Sequence, residues 1–278
     1  MTKGRKVKIK IIKPIEGVQY LFLIIGSLVS VFPLAWMAIS STNSSVDVIR
    51  GKLTLGTYLS VNFKKLFEIT DIGQAMWNSF RNAFLLTFLS LLICSMAGYA
   101  FEIYHDKWKD KLMSVVLLSM MVPFAATMIP LFTWFGKLGL INTTLGFVMP
   151  TVSTAFLIFL FRQSSRSFPI DVIEAARIEG MSEMGIFLKI FIPIMKPTYA
   201  AGITVTFMNA WNSYLWPLIV LQGPESRTMP LLISNLISGY TIDYGILMLA
   251  VTISTLPTII IFFMLQRYFK EGITGAVK

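Results

Sequence analysis

The chain has 278 residues, of which 55% are hydrophobic and 14% charged, where a soluble domain carries about 25% charged residues. A mean hydropathy of +0.71 excludes a single water-soluble core of this length, because so much apolar surface cannot be hidden in one. The formal net charge of +10 would suit a nucleic-acid partner, but its distribution along the chain marks orientation in a membrane instead.

Residues 1–17 form a basic segment carrying Lys3, Arg5, Lys6, Lys8, Lys10 and Lys13. The apolar stretch that follows, Val18–Ser40, is longer than the 7–15 residues of a cleaved signal and reads as a first permanent span. Segment 41–81 is too long for a turn. It mixes Phe63, Leu66 and Phe67 with charged residues and predicts a short amphipathic helix on the outer face. Further charge-free runs near the ~20 residues needed to cross ~30 Å of hydrocarbon occur at 83–101, 112–135, 143–161, 197–222 and 245–266. Helices satisfy their own backbone groups in lipid, so the expected fold is an all-α membrane protein of six transmembrane helices in a single domain over 1–278. With the N-terminus inside, 17 of the 24 basic residues fall on the inner side and seven on the outer. Both termini are therefore expected in the cytoplasm.

Local features within the spans read mainly as packing devices. Pro33, Pro123, Pro130, Pro150, Pro217 and Pro257 predict kinks that a packed bundle can accommodate. Ser90, Cys94 and Gly98 recur every four residues and allow close helix approach. Cys94 is the sole cysteine, which excludes an intrachain disulfide and a thiol metal cluster.

Absences narrow the chemistry. No span contains Asp, Glu, Lys, Arg or His, whereas an ion-driven carrier keeps ionisable groups at membrane depth. Glu102, one residue beyond the second span, reads as a solvated or helix-end carboxylate near the cytoplasmic surface, and His105 as a solvated side chain in a charged loop. No G-x-x-x-x-G-K-[ST] loop is present to hold ATP, and no H-E-x-x-H or Ser/His/Asp set supports catalysis. The chain reads as a non-enzyme: a transporter that borrows its engine from a partner.

The cytoplasmic loop 162–196 is the most informative stretch. Pro169, Asp171 and Gly180 predict a helix over 169–179, starting at a proline and stopping at a glycine. Ser182 is placed to cap a second helix with an apolar stripe of Ile186, Phe187, Ile190 and Phe191. Ala175 and Ala176 would leave a low profile for another protein to approach, with Glu174 and Arg177 supplying charge.

Glu174-Ala175-Ala176, then Gly180, then Ile190-x-Ile192-Pro193 resembles the EAA loop of ABC importer permeases, whose pattern is EAA-x3-G-x9-I-x-L-P. Ile192 stands where that pattern has Leu, which preserves apolar volume. Asn78-Ser79, the MMVP and IPLF segments, WNSYLWPL over 211–218 and the tail from Arg267 resemble the MalG-like branch of carbohydrate importer permeases. The resemblance implies that Glu174, Ala175, Ala176, Arg177 and Gly180 dock an ATPase subunit. It further implies a second homologous permease chain, an ATPase dimer carrying ATP and Mg, an extracytoplasmic solute-binding protein, and a multi-pass place in a bacterial or archaeal cytoplasmic membrane. No cofactor is then expected on this chain, and its partners are membrane lipid and a neutral carbohydrate rather than nucleic acid. Glycerol phosphate or another small solute stays open as cargo, as does an ion-coupled secondary carrier.

The fifth span carries the groups suited to a polyhydroxylated solute: Asn209, Trp211, Asn212, Tyr214 and Trp216. Amides pair with hydroxyls, and aromatic rings cover the apolar faces of sugars. The same residues also fit an interfacial aromatic belt or hydrogen bonding between helices.

Overall fold

The computed structural model describes residues 14–239 and 241–275, with side chains over 16–239 and 241–268. The basic segment expected over 1–17 therefore lies outside the described residues up to position 13, as do the last three residues of the tail. The chain divides into two compact units, residues 1–66 with 243–252, and residues 67–242 with 253–278. Helices dominate both, and no strand occurs among the described residues.

The first unit begins with α1 (Pro14–Ser40), whose apolar window has none of its residues buried. A helix apolar on every side suits a lipid environment or a neighbouring protein. It runs into α2 (Ser45–Ile49), where the Ser44 hydroxyl accepts the Asp47 amide at 3.2 Å, and α3 (Leu59–Ile69) provides the amphipathic helix expected in this segment. Two buried asparagines tie these elements together. The Asn62 amide donates to the carbonyls of Ser41 and Asn43, both at 2.9 Å, and that of Asn43 to Ile39 and Thr54 at 3.0 and 2.9 Å. Tyr244, at the start of α15 (Tyr244–Gly275), donates its amide to Ser45 Oγ at 3.0 Å.

The second unit is organised around α4 (Ile72–Ile103), an unbroken helix of 32 residues capped by Asp71. It starts eleven residues before the span expected at 83–101. Asn78 and Ser79, polar positions ahead of that window, find partners, so the helix runs through them. Asn78 Nδ2 donates to the carbonyls of Glu225 and Arg227 at 2.7 and 3.0 Å, and Ser79 Oγ accepts the Met229 amide at 2.7 Å.

Three of the remaining apolar stretches are bent. α5 (Lys107–Leu118) and a 3-10 turn over 119–121 meet α6 (Phe124–Lys137) at 92°, with Pro123 at the break. α7 (Thr144–Val148) and its following turn meet α8 (Ala155–Ser165) at 53°. After the short helices α9 (Ile170–Ile178), α10 (Glu183–Ile186) and α11 (Ile192–Ile194), the 183–194 segment meets α12 (Lys196–Trp211) at 81°. The stretch expected as one span over 197–222 ends its main helix at Trp211, and residues 215–220 form a separate helix, α13 (Leu215–Val220). α14 (Met229–Ile237) follows before the chain enters α15. Of the single helices, Glu16–Ser40, Ile72–Ile103 and Tyr244–Tyr268 are long and apolar enough to cross a membrane.

Small residues let α4 pack closely. Ser90 and Cys94 are fully buried, and a Cβ on Gly98 would lie 2.5 Å from Phe161 Cβ and 2.8 Å from the Arg162 backbone nitrogen. The stripe expected from the four-residue spacing is thus the seam between α4 and α8. Leu91, Met113, Leu157 and Phe161 complete the core around it.

Candidate functional site

The loop after α8 is a rigid knuckle. α9 begins at Ile170, one residue after the proline expected to open it, because Pro169 has extended ψ and occupies the cap position. Its end is a Schellman turn: the Gly180 amide donates to the Arg177 carbonyl and the Met181 amide to that of Ala176, both at 3.0 Å. This closure needs a left-handed residue, and Gly180 supplies it with φ +80°. Ser182 caps α10, its hydroxyl accepting the Gly185 amide at 3.2 Å. A π-helical turn over Phe187–Phe191 then carries the apolar stripe, with Ile186, Phe187 and Phe191 buried against Tyr99, Phe168 and Ile173.

One expectation for this loop needs correction and another gains detail. Ala176 is 5% exposed and packs into the loop's own core, so its small size serves this chain and does not open a low profile to a partner. Arg177 is exposed and also bonded within the loop: its Nε and Nη2 donate to Glu183 Oε1 and Oε2 at 2.7 and 3.3 Å, and its guanidinium lies 5.5 Å from the centre of the Tyr104 ring. Glu174 and Ala175 are exposed as expected, and Ile178, one turn on, is 87% exposed. The outward face is therefore Asp171, Glu174, Ala175 and Ile178, an acidic start and an apolar end. Hydrogen bonding by Arg177, then by Tyr104, holds the Glu183 carboxyl below its usual range.

Beside the loop, the adjoining ends of α4, α5 and α8 are held by ion pairs. Arg162 is 5% exposed, donates to Glu102 at 3.3 Å and also pairs with Asp110, while Arg166 reaches Glu102 at 3.8 Å. Glu102 is thus a helix-end carboxylate, one of the two readings open from the sequence, and it is paired and half-buried rather than solvated. His105 is about half exposed but is itself 3.0 Å from Asp110. The sequence offered one signal for this cluster, a basic residue at the end of an apolar run next to another, Arg162 and Arg166.

The second candidate site is a cavity of about 530 Å³ bordered by Asn209, Asn212, Ser213, Tyr214 and Trp216, with Phe124, Phe147 and Phe156 among its walls. No Asp, Glu, Lys, Arg or His lines it. It lies where helices stop: Phe124 opens α6, Thr154 caps α8, and Asn212–Tyr214 separates α12 from α13. Non-helical backbone at membrane depth is tolerated where it borders a hydrated cavity.

Four of the five residues singled out in the fifth span border this space, and they differ in commitment. Asn209 is exposed, and its amide makes no hydrogen bond among the described residues. Asn212 spends its Nδ2 on the Met208 carbonyl at 2.9 Å, leaving its oxygen to the cavity, and the Tyr214 hydroxyl lies 3.0 Å from Ser234 Oγ. Trp216 is 3% exposed: its Nε1 donates to the Gly146 carbonyl at 2.9 Å, and its ring meets Phe124 and Phe135 edge-on. Trp211 is outside the cavity. Its ring stacks on Phe207 at 5.7 Å and its Nε1 donates to the Ser254 carbonyl at 3.0 Å, a buried tie between α12 and α15.

Comparison with known proteins gives the arrangement its context. Residues 90–275 match the family model described as binding-protein-dependent transport system inner membrane component. The lactose transport system permease protein LacG of Rhizobium radiobacter is 44% identical over 94% of this chain and 96% of its own length. The arabinooligosaccharides transport system permease protein AraQ of Bacillus subtilis is 36% identical, covering 93% and 94%. Among solved structures, a chain of a bacterial ABC transporter that imports the acidic polysaccharide alginate has a TM-score of 0.76, at 22% identity over 91% of this chain and 95% of that one. With a two-helix loop and an uncharged cavity on one helical frame, and sequence similarity across almost its whole length, the chain belongs to the inner membrane components of binding-protein-dependent transport systems, the non-catalytic permease subunits of ABC transporters.

Proposed function

We propose that this chain is a permease subunit of an ABC importer and carries a sugar or oligosaccharide delivered by an extracytoplasmic binding protein. The observation that carries the reading is the cavity at the three helix breaks, where amides, hydroxyls and aromatic rings meet without an ionisable group. That lining suits a neutral polyhydroxylated solute and offers no cation to a sugar phosphate or glycerol phosphate. Relatives named for lactose and arabinooligosaccharides support the same class.

In this reading each bent helix pair crosses the membrane once, giving six spans with both termini in the cytoplasm of a bacterial or archaeal cell. Asp171, Glu174, Ala175 and Ile178 face an ATPase subunit, Ala176 and Arg177 hold α9 in place, and Gly180 ends it. A second, homologous permease completes the pathway, and a solute-loaded binding protein engages outer segments 41–81 and 223–244. This chain binds no cofactor; ATP and Mg act on the partner ATPases, whose closure displaces the loop and switches the pathway between inward and outward access. Each state must make contacts the other lacks.

The test is uptake by the assembled complex in proteoliposomes. Labelled neutral di- and oligosaccharides should enter in an ATP-dependent manner, glycerol phosphate should not, and the isolated chain should transport nothing under an ion gradient. Accumulation by the isolated chain would overturn the proposal.

A further inference from the structure

The loop is joined to α4 by more than van der Waals packing. Glu183 receives Arg177 through two hydrogen bonds, at 2.7 and 3.3 Å, and the Tyr99 hydroxyl donates to it at 3.4 Å. Tyr104, just past the end of α4, lies under the Arg177 guanidinium. The Tyr99 ring is also held edge-on by Phe187 and Phe191, at 5.4 and 4.8 Å. Tyr99 on α4 and Tyr104 just past its end thus touch both helices of the loop, and the Arg177–Glu183 pair bridges the Gly180–Ser182 joint between them.

Two routes lead from this knuckle toward the cavity. One runs through the π-helical turn and α11 into α12 and crosses the 81° bend at Met195. The other runs along α4, which has no break, from Tyr99 to Leu86 on the cavity wall, a rise of about 20 Å. An unbroken helix transmits a displacement as a rod, whereas a bend absorbs part of it.

We infer that Arg177 and Glu183 are positioning residues whose ion pair makes α9, α10 and α4 move as one body, so that a displacement of the loop reaches the cavity through α4. This inference rests on the reading of the loop as the ATPase-docking element. Neither residue needs to touch the ATPase or the solute. The pair fixes the angle between α9 and α10, and Tyr99 and Tyr104 fix that joint to the rod. Without the pair, the Gly180 turn becomes a compliant hinge, and work done on α9 is dissipated in the loop.

The experiment uses the full complex in proteoliposomes, with loaded binding protein, and reads solute taken up per ATP hydrolysed. Glu183→Gln keeps the shape and removes the charge. Its complex should assemble with the normal complement of ATPase while uptake per ATP falls at least about fivefold, and Arg177→Glu combined with Glu183→Arg should return the ratio to within about twofold of the native complex. A structural role alone would reduce the amount of assembled complex and leave the ratio unchanged, which would overturn the inference. So would a lowered ratio that the reversed pair fails to restore.

A parallel sample carries Ile178→Cys, and the native Cys94 is buried and silent to cross-linkers. Failure of Ile178→Cys to cross-link to the ATPase would overturn the docking reading and the inference with it. Cross-linking together with an unchanged ratio in Glu183→Gln would overturn the inference alone.

Discussion

Two glycines on the contact surfaces of α4 provide a matched test of how the bundle is packed. At Gly98 a Cβ would meet Phe161 Cβ at 2.5 Å, the Arg162 backbone nitrogen at 2.8 Å and the Phe161 carbonyl carbon at 3.0 Å. All of these are on or next to the α8 backbone, so relief requires the two helices to separate. At Gly202 on α12 the nearest atoms are Leu91 Cδ2 at 2.8 Å and Leu157 Cδ1 at 3.3 Å, the ends of flexible side chains that can rotate. Replacing either glycine by alanine gains about 1 kcal/mol of helix propensity. Overpacking against a fixed wall costs roughly 1–3 kcal/mol, and at Gly98 it also displaces the residue that carries the Arg162 ion pairs. The expected net effect is a loss of about 1–2 kcal/mol for Gly98→Ala, and between no change and a gain of about 1 kcal/mol for Gly202→Ala. Equilibrium unfolding in mixed micelles, followed by circular dichroism, measures both against the native chain. Equal stability of the two variants, or a more stable Gly98→Ala, would refute the distinction between backbone and side-chain walls.

Other residues give shorter tests. Arg162→Met leaves Glu102 without its closest cation and should lower stability in the same assay by roughly 2 kcal/mol, with Glu102→Leu in the same chain recovering part of the loss. Asp110 is held below its ordinary value of 3.8 by the Arg162 hydrogen bond first, with His105 adding to it. Its folded-state value is depressed, so its contribution to stability is present above that range and lost as pH falls through it. An acid titration of unfolding should show this slope in the native chain and a flatter one in Arg162→Met. Asn209→Leu should reduce uptake while leaving complex assembly intact. Trp211→Phe should instead lower stability by about 1 kcal/mol, since it removes the buried hydrogen bond to the Ser254 carbonyl, and leave the order of preference among solutes unchanged.

The comparison of Asn209 with Trp211 also shows how far the sequence could be read. Composition and charge placement reveal the helical membrane class, and the glycine and serine at 180 and 182 announce the two helices of the loop, because caps and left-handed turns are local properties. Burial direction is not local. Trp211 and Trp216 look alike in a polar span, yet one ties α12 to α15 and the other walls the cavity, a difference set by neighbours 43 and 70 residues away. Ala176 reads as an exposed small residue until Tyr99, far earlier in the chain, is known to stand in the same core. The start of α4 was hidden for a related reason. Asn78 and Ser79 interrupt the apolar run, and only their bonds to residues 225–229 show why a helix can pass through them.

The placement of charge and the placement of helix breaks are complementary. Charged pairs among the described residues of the second unit gather at the loop-side ends of α4, α5 and α8 and in the loop, where Arg162, Glu102, Asp110, Arg177 and Glu183 join the elements. Three helix breaks border the cavity, where Pro123, the 152–154 turn and Asn212–Tyr214 leave backbone groups that a continuous helix would have consumed, and a further bend at Met195 separates the loop from α12. Reversing that arrangement would serve transport poorly. Ionic joints at the cavity would bind water and ions tightly and resist a neutral solute, while a break in α4 beside the loop would absorb motion delivered there. A polar but uncharged cavity needs backbone and amide donors, which breaks supply, and force transmission needs stiff joints, which ion pairs on an unbroken α4 supply. The same chain can hold both because α4 passes the cavity without stopping.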